Sequence, residues 1–513
     1  MENQIDSQHA ENKSLWAASA EMPAFKALEG SLETDVCIIG GGIAGLTTAY
    51  QLIRHGKSIV LLDDGPLCSG MTEVTSAHLA NALDVRYFEI ERMHGKGGAR
   101  LAAESHTAAI ARIEEITANE KINCDFERLD GYLCLSPDKD EEYLDRELQA
   151  AHDAGLTSVG KVRHPPVQLY HGRPALRFPN QAAFHPLKYL SGLVKAIRRD
   201  GGKIFTQTHA TEIDGGPPAK VKAGRHSIKC GAVVVATNSP INDMFAIHTK
   251  QTGYMTYVIG VRAPIGSIPR ALYWDTLSPY HYVRLQDHPH SRRSQILIVG
   301  GEDHRTGQAT DTRERFLRLQ AWTRERFPAA EDVEFTWAGQ VMETIDGLAF
   351  IGRNPMDKEN VYIVTGDSGM GLTHGTIAGM LLTDLIVGRK NPWATLYDPS
   401  RKTLGAALNY LQENLNTAVQ YADWITSGDV ETVDKIKPDS GAVIRRGLNK
   451  IAVYRDEKGA LHECSAVCTH LGCIVHWNPA EKTFDCPCHG SRFDRFGEVM
   501  NGPANSELGA PTK

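Results

Sequence analysis

The stretch DVCIIGGGIAGLTTAYQLIRHGKSIVLLD, residues 35–63, decides how most of the chain is read. Val36 to Ile39 is a short apolar run of β-forming residues. Gly40, Gly42 and Gly45 follow with G-x-G-x-x-G spacing, and Leu46 to Ile53 has the composition of a packed helix. Ile59 to Leu62 is a second apolar run, closed by Asp63. The order is strand, glycine turn, helix, strand, acid, which is that of a dinucleotide site. Gly40 permits the tight turn, Gly42 lets the backbone approach a pyrophosphate, and Gly45 lets helix and strand pack closely. The helix N-terminus offers free N–H groups and the positive end of its dipole to phosphates. Asp63 can accept hydrogen bonds from ribose hydroxyls. Glycine turns without a ligand are common, so the flanking strands and the acid carry this reading.

Further along, DDGPLCSGMTEVTSAHL (63–79) is rich in small and hydroxyl residues, Ser69 and Thr72 among them. GAVVVATNSP (231–240) is another strand-like run. DGLAFIGR (346–353) is followed by NVYIVTGDSGMGLTHGTIAGMLLTDLI (360–386), again a strand, a glycine-rich turn and a helix. Together these resemble the D-amino-acid-oxidase superfamily of FAD enzymes, which includes glycine oxidase, sarcosine oxidase and related amine dehydrogenases. The resemblance covers roughly residues 33–400. It implies FAD, an α/β FAD-binding Rossmann-type domain and an α+β substrate domain. It also implies that the turn holding Gly369 and Gly371 brings a helix N-terminus to the isoalloxazine ring. The implied cofactor contacts are Gly40, Gly42, Gly45, Asp63, Ser69, Thr72, Gly369 and Gly371. One complete fingerprint, where a flavoprotein using NADPH would carry two, also favours FAD over NAD.

On this basis residues 1–32 form an N-terminal extension. FAD-binding pieces fall at about 33–95, 181–245 and 331–400, and substrate-domain pieces at about 96–180 and 246–330. GARLAAESHTAAIARIEEI, near the start of the first substrate piece, has helical spacing. YMTYVIGVRA (254–263) and SQILIVGG (294–301) read as strands, with the aromatic-rich YWDTLSPYHYVR (273–284) between them. In the family a strand of this region covers the flavin and supplies aromatic and arginine side chains to the substrate, which makes Tyr282 and Arg284 pocket candidates. His78 is a third, because TSAHL follows the stretch that lies near the pyrophosphate in the family. WAGQVMETIDG has no cysteine where the family's covalent attachment cysteine lies, so the FAD is expected to be noncovalent.

RKTLGAALNYLQENLNTAVQYADWIT reads as a helical linker over 401–427, and short β-prone runs with glycine turns follow over 428–513, a small all-β domain. Within it, CTHLGC (468–473) is answered by CPCHGSRF (486–493). Each loop offers one thiolate and one imidazole: Cys468 with His470, and Cys486 with His489. Zinc could use such a set, but zinc fingers usually pair Cys with Cys and His with His. A two-iron cluster in which one iron takes both cysteines and the other both histidines suits loops that each supply one of each. The two loops match the Rieske pattern nearly letter by letter. That resemblance implies a [2Fe–2S] cluster held by Cys468, His470, Cys486 and His489, a disulfide between Cys473 and Cys488, and a third, proline-containing loop at GPA (502–504). High-potential Rieske proteins place a serine and a tyrosine just after the second histidine, both donating to cluster sulfurs. This chain has Ser491 but Phe493. A potential below the upper limit of roughly +300 mV is therefore expected.

The chain has 513 residues, 42% apolar and 23% charged, with a net charge of −7. There is no basic excess to track phosphates, so no nucleic-acid partner is expected. No apolar run approaches the roughly 20 residues of a membrane span. The polar, mixed-charge beginning carries no export signal, so a cytoplasmic location is expected. Cys37, Cys68, Cys124, Cys134 and Cys230 are scattered and read as small buried apolar residues. A flavin takes two electrons as a hydride and the cluster carries one at a time. The expected activity is oxidation of a small substrate, an amine by the resemblance, with electrons passing singly through the cluster to an external acceptor. Three alternatives remain open: a reductase running the other way, an O2-dependent oxidase, and a non-catalytic redox sensor.

Overall fold

The computed structural model describes residues 13–242, 247–355 and 357–511. The apolar runs with no polar alternation form the middle of a sheet buried on both faces, which is where such runs are stable. Strand Leu32–Ile39 pairs in parallel with Ile59–Leu62 on one side and His226–Val235 on the other. Val361–Thr365 extends the parallel order, and Phe350–Arg353 and Lys203–Phe205 are the outer strands on the two sides. Helix Ile43–Arg54 follows the first strand and helix Gly371–Ile386 follows the fourth. They pack at unusually close range. A Cβ on Gly375 would lie 2.8 Å from Ile43 Cγ2, and one on Gly379 would lie 2.5 Å from Thr47 Cγ2. The contact advances one turn along both helices, so they run parallel. Their N-termini therefore lie side by side at the carboxyl ends of the strands, where ligands bind in such sheets.

A second, nine-stranded sheet runs Val333–Thr344, Gln251–Pro264, Ser294–Arg305, Tyr282–Asp287, Leu272–Asp275, Glu127–Cys134, Ala175–Ala183 and His78–Leu79 in spatial order, with Gly160–Val162 off the path. The expected substrate-domain pieces supply most of it. Val333–Thr344 and His78–Leu79 also belong to this sheet, although they fall within stretches expected to be FAD-binding. The long antiparallel pairing of Val333–Thr344 with Gln251–Pro264 decides the matter. The expected helix of the first substrate piece is Tyr87–Asn119, kinked at Gly95.

Residues 1–12 of the expected N-terminal extension lie outside the described residues. Helix Leu15–Ser19, capped by the Ser14 side chain, packs into the core. Trp16 is fully buried and donates through Nε1 to the Thr75 carbonyl at 2.6 Å. The linker contains helix Ala407–Gln420, which has no buried residue. Polar contacts hold it to the second sheet: Glu413 accepts from Thr252 Oγ1 at 2.9 Å and from Arg305 Nη2 at 2.7 Å. The C-terminal part is all β, with a three-stranded and a four-stranded antiparallel sheet. The five scattered cysteines are all buried and free.

Candidate functional site

A cavity of about 880 Å³ lies between the two sheets. Its first wall is the glycine turn. Gly40 has φ +102°, and a Cβ there would lie 2.3 Å from the Ala236 carbonyl oxygen, so only glycine fits. A Cβ on Gly45 would lie 1.9 Å from Gly40 O, which is how closely helix and turn approach. Asp63 accepts from Gly41 N at 2.6 Å and from Gly65 N at 2.9 Å. Burial nevertheless pushes its carboxyl up to about 6, against the pull of those two amides. Thr72 Oγ1 accepts from Ile43 N at 3.2 Å, in the first turn of the helix, and Ser69 also lines the cavity. The second turn enters beside it. Gly369 has φ +76°, and a Cβ there would meet the Asp84 carboxyl at 1.9 Å. Seven of the eight residues expected to contact the cofactor line this one space, and Gly45 packs behind it.

The second sheet supplies the other wall. His78 and Tyr282 line the cavity with Trp274 and Tyr280. The His78 ring lies 5.7 Å from Tyr282 and 5.9 Å from Trp274. Burial, and then the Arg284 charge, pull His78 down to about 3, so it is neutral at pH 7. Tyr282 shares a 2.9 Å hydrogen bond with Thr256 Oγ1, and burial raises its phenol. Arg284 is a different case. It points along the same strand face two residues further on, but it does not line the cavity. Its guanidinium donates to the carbonyls of Ala77 at 2.7 Å and Phe184 at 3.0 Å, and to Gln286, and it lies 5.4 Å from the Trp16 ring. The N-terminal segment has closed over that end of the strand. Arg284, expected at the substrate pocket, is a buried group bonded outside the cavity lining.

Four acids that sequence reasoning did not single out converge here: Asp84, Asp303, Glu343 and Asp367. Burial raises each carboxyl: Asp303 to about 7, Glu343 to about 8 and Asp367 to about 6. Asp84 adds to the last three by like charge. Tyr280 donates to Asp84 at 2.8 Å. A single acid at the end of a strand carries no signal in sequence; only the sheet pairing shows that they meet.

The cysteine–histidine centre is built from two turns, each closed on itself. Cys468 N donates to Cys473 O at 2.8 Å and Gly472 N to Cys468 O at 3.0 Å. In the other loop, Cys486 N donates to Ser491 O at 2.8 Å and Gly490 N to Cys486 O at 3.1 Å. Cys473 and Cys488 are joined by a disulfide that clamps one loop to the other. The Cys468 and Cys486 thiols share a hydrogen bond, which pulls Cys468 down to about 7 and pushes Cys486 up. The rings of His470 and His489 lie 5.0 Å apart at 88°. His489 is held near 3 by burial and by the neighbouring imidazoles of His470 and His248. Its Nδ1 is buried and, among the described residues, has no hydrogen-bond partner. Buried polar atoms are nearly always paired, so an orphaned nitrogen on an imidazole packed against a second imidazole fits a metal ligand. Ser491 is fully buried beside Cys468, and Phe493 is fully buried with no hydroxyl to offer.

The two sites share a wall. Gln340 Nε2, on the second sheet, donates to Gly490 O at 2.6 Å, and Gln308 Nε2 donates to Pro487 O at 3.0 Å. The linker covers the first loop, with Tyr421 donating to Leu471 O at 2.8 Å and Trp424 to Gly472 O at 2.9 Å. His248, which precedes strand Gln251–Pro264, lies edge-on to His470 with ring centroids 5.1 Å apart. Residues of the segment 498–507 line the cavity itself. The same segment touches both cluster loops: Ala504 N donates to Ser491 Oγ at 3.0 Å, and Thr469 Oγ1 donates to Ser506 O at 2.6 Å.

A dinucleotide turn opening on a cavity, with a two-cysteine, two-histidine centre against its wall, defines a flavin-dependent oxidoreductase joined to an iron–sulfur centre. Comparison with known proteins agrees. The model of the FAD dependent oxidoreductase family matches residues 35–385, and that of the Rieske [2Fe-2S] domain matches 424–512. The chain belongs to the FAD dependent oxidoreductase family and carries a C-terminal Rieske domain; its cofactors are FAD and a Rieske [2Fe–2S] cluster. It is 33% identical over 504 residues to YhfW of Bacillus subtilis, described as a Rieske 2Fe-2S iron-sulfur protein, covering 97% of both chains. It is 26% identical over 386 residues to the gamma-glutamylputrescine oxidoreductase of Escherichia coli, covering 73% of this chain and 89% of that one. Its fold is similar to that of glycine oxidase from Geobacillus kaustophilus, with a TM-score of 0.61 at 16% identity, covering 72% of this chain and 100% of that one. Among the described residues, no helix is long and apolar enough to cross a membrane.

Proposed function

We propose that the protein oxidises a small amine or amino-acid-like molecule in the cavity and releases the electrons one at a time through the iron–sulfur centre to an external acceptor. In this reading the chain divides into the oxidoreductase unit (33–400), the linker (401–427) and the Rieske unit (428–513). Gly40, Gly42 and Gly45, with the amides that open helix Ile43–Arg54, would hold the FAD pyrophosphate. Asp63 would hold the ribose, and Ser69, Thr72, Gly369 and Gly371 would line the rest of the cofactor's bed. Cys468, Cys486, His470 and His489 would hold the two irons. Bound FAD supplies two-electron chemistry and the cluster one-electron transfer, so the pair converts one kind into the other. The residues of the chain do the rest. Tyr282, His78 and Trp274 wall the substrate, and the buried carboxyls near neutrality can accept a proton from it. Segment 498–507 closes the cavity against water.

The observation that carries this reading is that segment, because it walls the cavity and bonds to both cluster loops. Anaerobic mixing with a panel of amines and amino acids, following the flavin and cluster bands together, tests it. The expected result is flavin bleaching followed by cluster reduction. Flavin bleaching with the cluster left oxidised would overturn the electron path, and peroxide formation in air at the same rate would identify an oxidase instead.

A further inference from the structure

Eight carboxyl side chains line the cavity, and among the described lining residues there is no arginine or lysine. An α-amino acid brings a carboxylate that needs a cation or a set of donors, and the one arginine on the relevant strand face is bonded elsewhere. The wall contributed by the second sheet has the opposite chemistry. Tyr280 and Tyr282 lie 5.8 Å apart, Trp274 is the cross-strand partner of Tyr282, and the neutral His78 packs against both Trp274 and Tyr282. Aromatic rings interleaved with carboxyl groups recognise ammonium groups through cation–π and ionic contacts. Two further observations point to a missing donor. Asp303 Oδ1 is buried with no hydrogen-bond partner among the described residues. Gln340, 3% exposed and part of the same lining, has an Oε1 that is likewise unpartnered.

We propose that the substrate is an amine with no carboxylate on its reacting carbon, held as a cation among Tyr280, Tyr282 and Trp274 and the carboxyl groups of Asp84, Asp303 and Glu343. This rests on the amine-oxidation reading above and narrows it. The ammonium gives one proton to a carboxylate of the cage. The α-carbon C–H bond then breaks, its electron pair leaving as hydride to the bound FAD, and a C=N bond forms. Water hydrolyses that imine to an aldehyde and ammonia. Asp303 and Glu343, raised by burial to about 7 and about 8, exchange a proton near neutral pH.

The test uses the holoprotein and matched pairs that differ only by the α-carboxylate: 1,4-diaminobutane against ornithine, and butylamine against 2-aminopentanoic acid. Tetramethylammonium, which cannot be oxidised, serves as a pure binding probe through perturbation of the flavin spectrum. The expected result is that the amine of each pair binds and reduces the flavin at least about tenfold better than its amino-acid partner. Asp303→Asn should weaken tetramethylammonium binding at least about tenfold, with Asp303→Glu restoring it. Glu343→Gln serves if Asp303→Asn loses flavin. Amino acids equal to or better than their amines, or cation affinity unchanged in both neutralised variants, would overturn the inference and leave the amine-oxidation reading standing. Cation binding that depends on Asp303 without any flavin reduction would sustain the recognition and overturn the oxidation. Neither binding nor reduction by any member would overturn both.

Discussion

The cavity and the cluster centre solve different problems with different means. The cluster centre is tight and local: two turns, each closed by its own backbone hydrogen bonds, are clamped together by one disulfide. It must hold one group of fixed size and exclude all else. The cavity is roomy, and its walls come from two sheets, two helix N-termini and a loop of the C-terminal domain. It must admit a substrate, and its acids sit in an environment that raises their pKa values. The first is held by covalent and backbone bonds that do not titrate. The second gathers buried carboxyls whose mutual repulsion a cation would relieve. Each end of the molecule is therefore vulnerable to a different kind of change.

The largest expected effect separates the two ends completely. Cys486→Ser should abolish the cluster's electron paramagnetic resonance signal and its iron, while the flavin absorbance is retained and still bleaches with substrate. Loss of both cofactors would show that the two ends do not fold independently. Next, replacing Cys473 and Cys488 together by Ser should lower the stability of the C-terminal domain by about 3 kcal/mol, since the bridge spans a sequence separation of 15. The melting of the cluster signal reads this, and the flavin's own melting should not move.

The pH response should single out the cavity. Asp303 and Glu343 start from ordinary values of 3.8 and 4.5 and rise to about 7 and about 8 in the folded protein. Between the ordinary and the raised value, the folded state holds a proton that the unfolded chain has released, so stability falls as pH rises. The buried histidines, His78 among them, have the opposite slope, but above their ordinary 6.5 they are neutral in both states. From pH 6.5 to 8, therefore, the melting temperature of the flavin-bearing part should drop as its stability falls, by at most about 1.4 kcal/mol per pH unit for each group. Glu343→Gln should flatten the slope, and the melting of the cluster signal should be nearly level. The smallest effect sharpens the other side. Phe493→Tyr should raise the cluster potential by roughly 60 mV, the one-electron equivalent of a tenfold preference for the reduced form. A potentiometric titration showing no change would mean that the hydroxyl does not reach the cluster.

Much of this was legible in the sequence where the chemistry is local. The run Val36 to Asp63 announces strand, turn, helix and strand because each step follows from adjacent residues, and the fold is built on that unit. The cluster loops are equally compact in sequence. Less legible was the sheet to which a strand belongs. Val333–Thr344 lies beside FAD-binding segments in sequence and pairs with Gln251–Pro264 instead, because long-range backbone pairing is not encoded in a strand's own composition. Arg284 was expected at the pocket because a strand of this region supplies an arginine to the substrate in the family that the sequence resembles. The structure turns it to the carbonyls of Ala77 and Phe184, since Trp16 and the N-terminal segment close that end. Asp84, Asp303 and Glu343 were silent because isolated acids are common.

The amino-acid order by itself determined the two cofactor-binding architectures, since the glycine turn and the paired cysteine–histidine loops depend only on residues a few positions apart. Tertiary structure alone decided the charge of the cavity and its meeting with the iron–sulfur centre. Burial and proximity set those properties, and both arise only when strands far apart in the chain pair and segment 498–507 folds back between the cluster loops and the cavity.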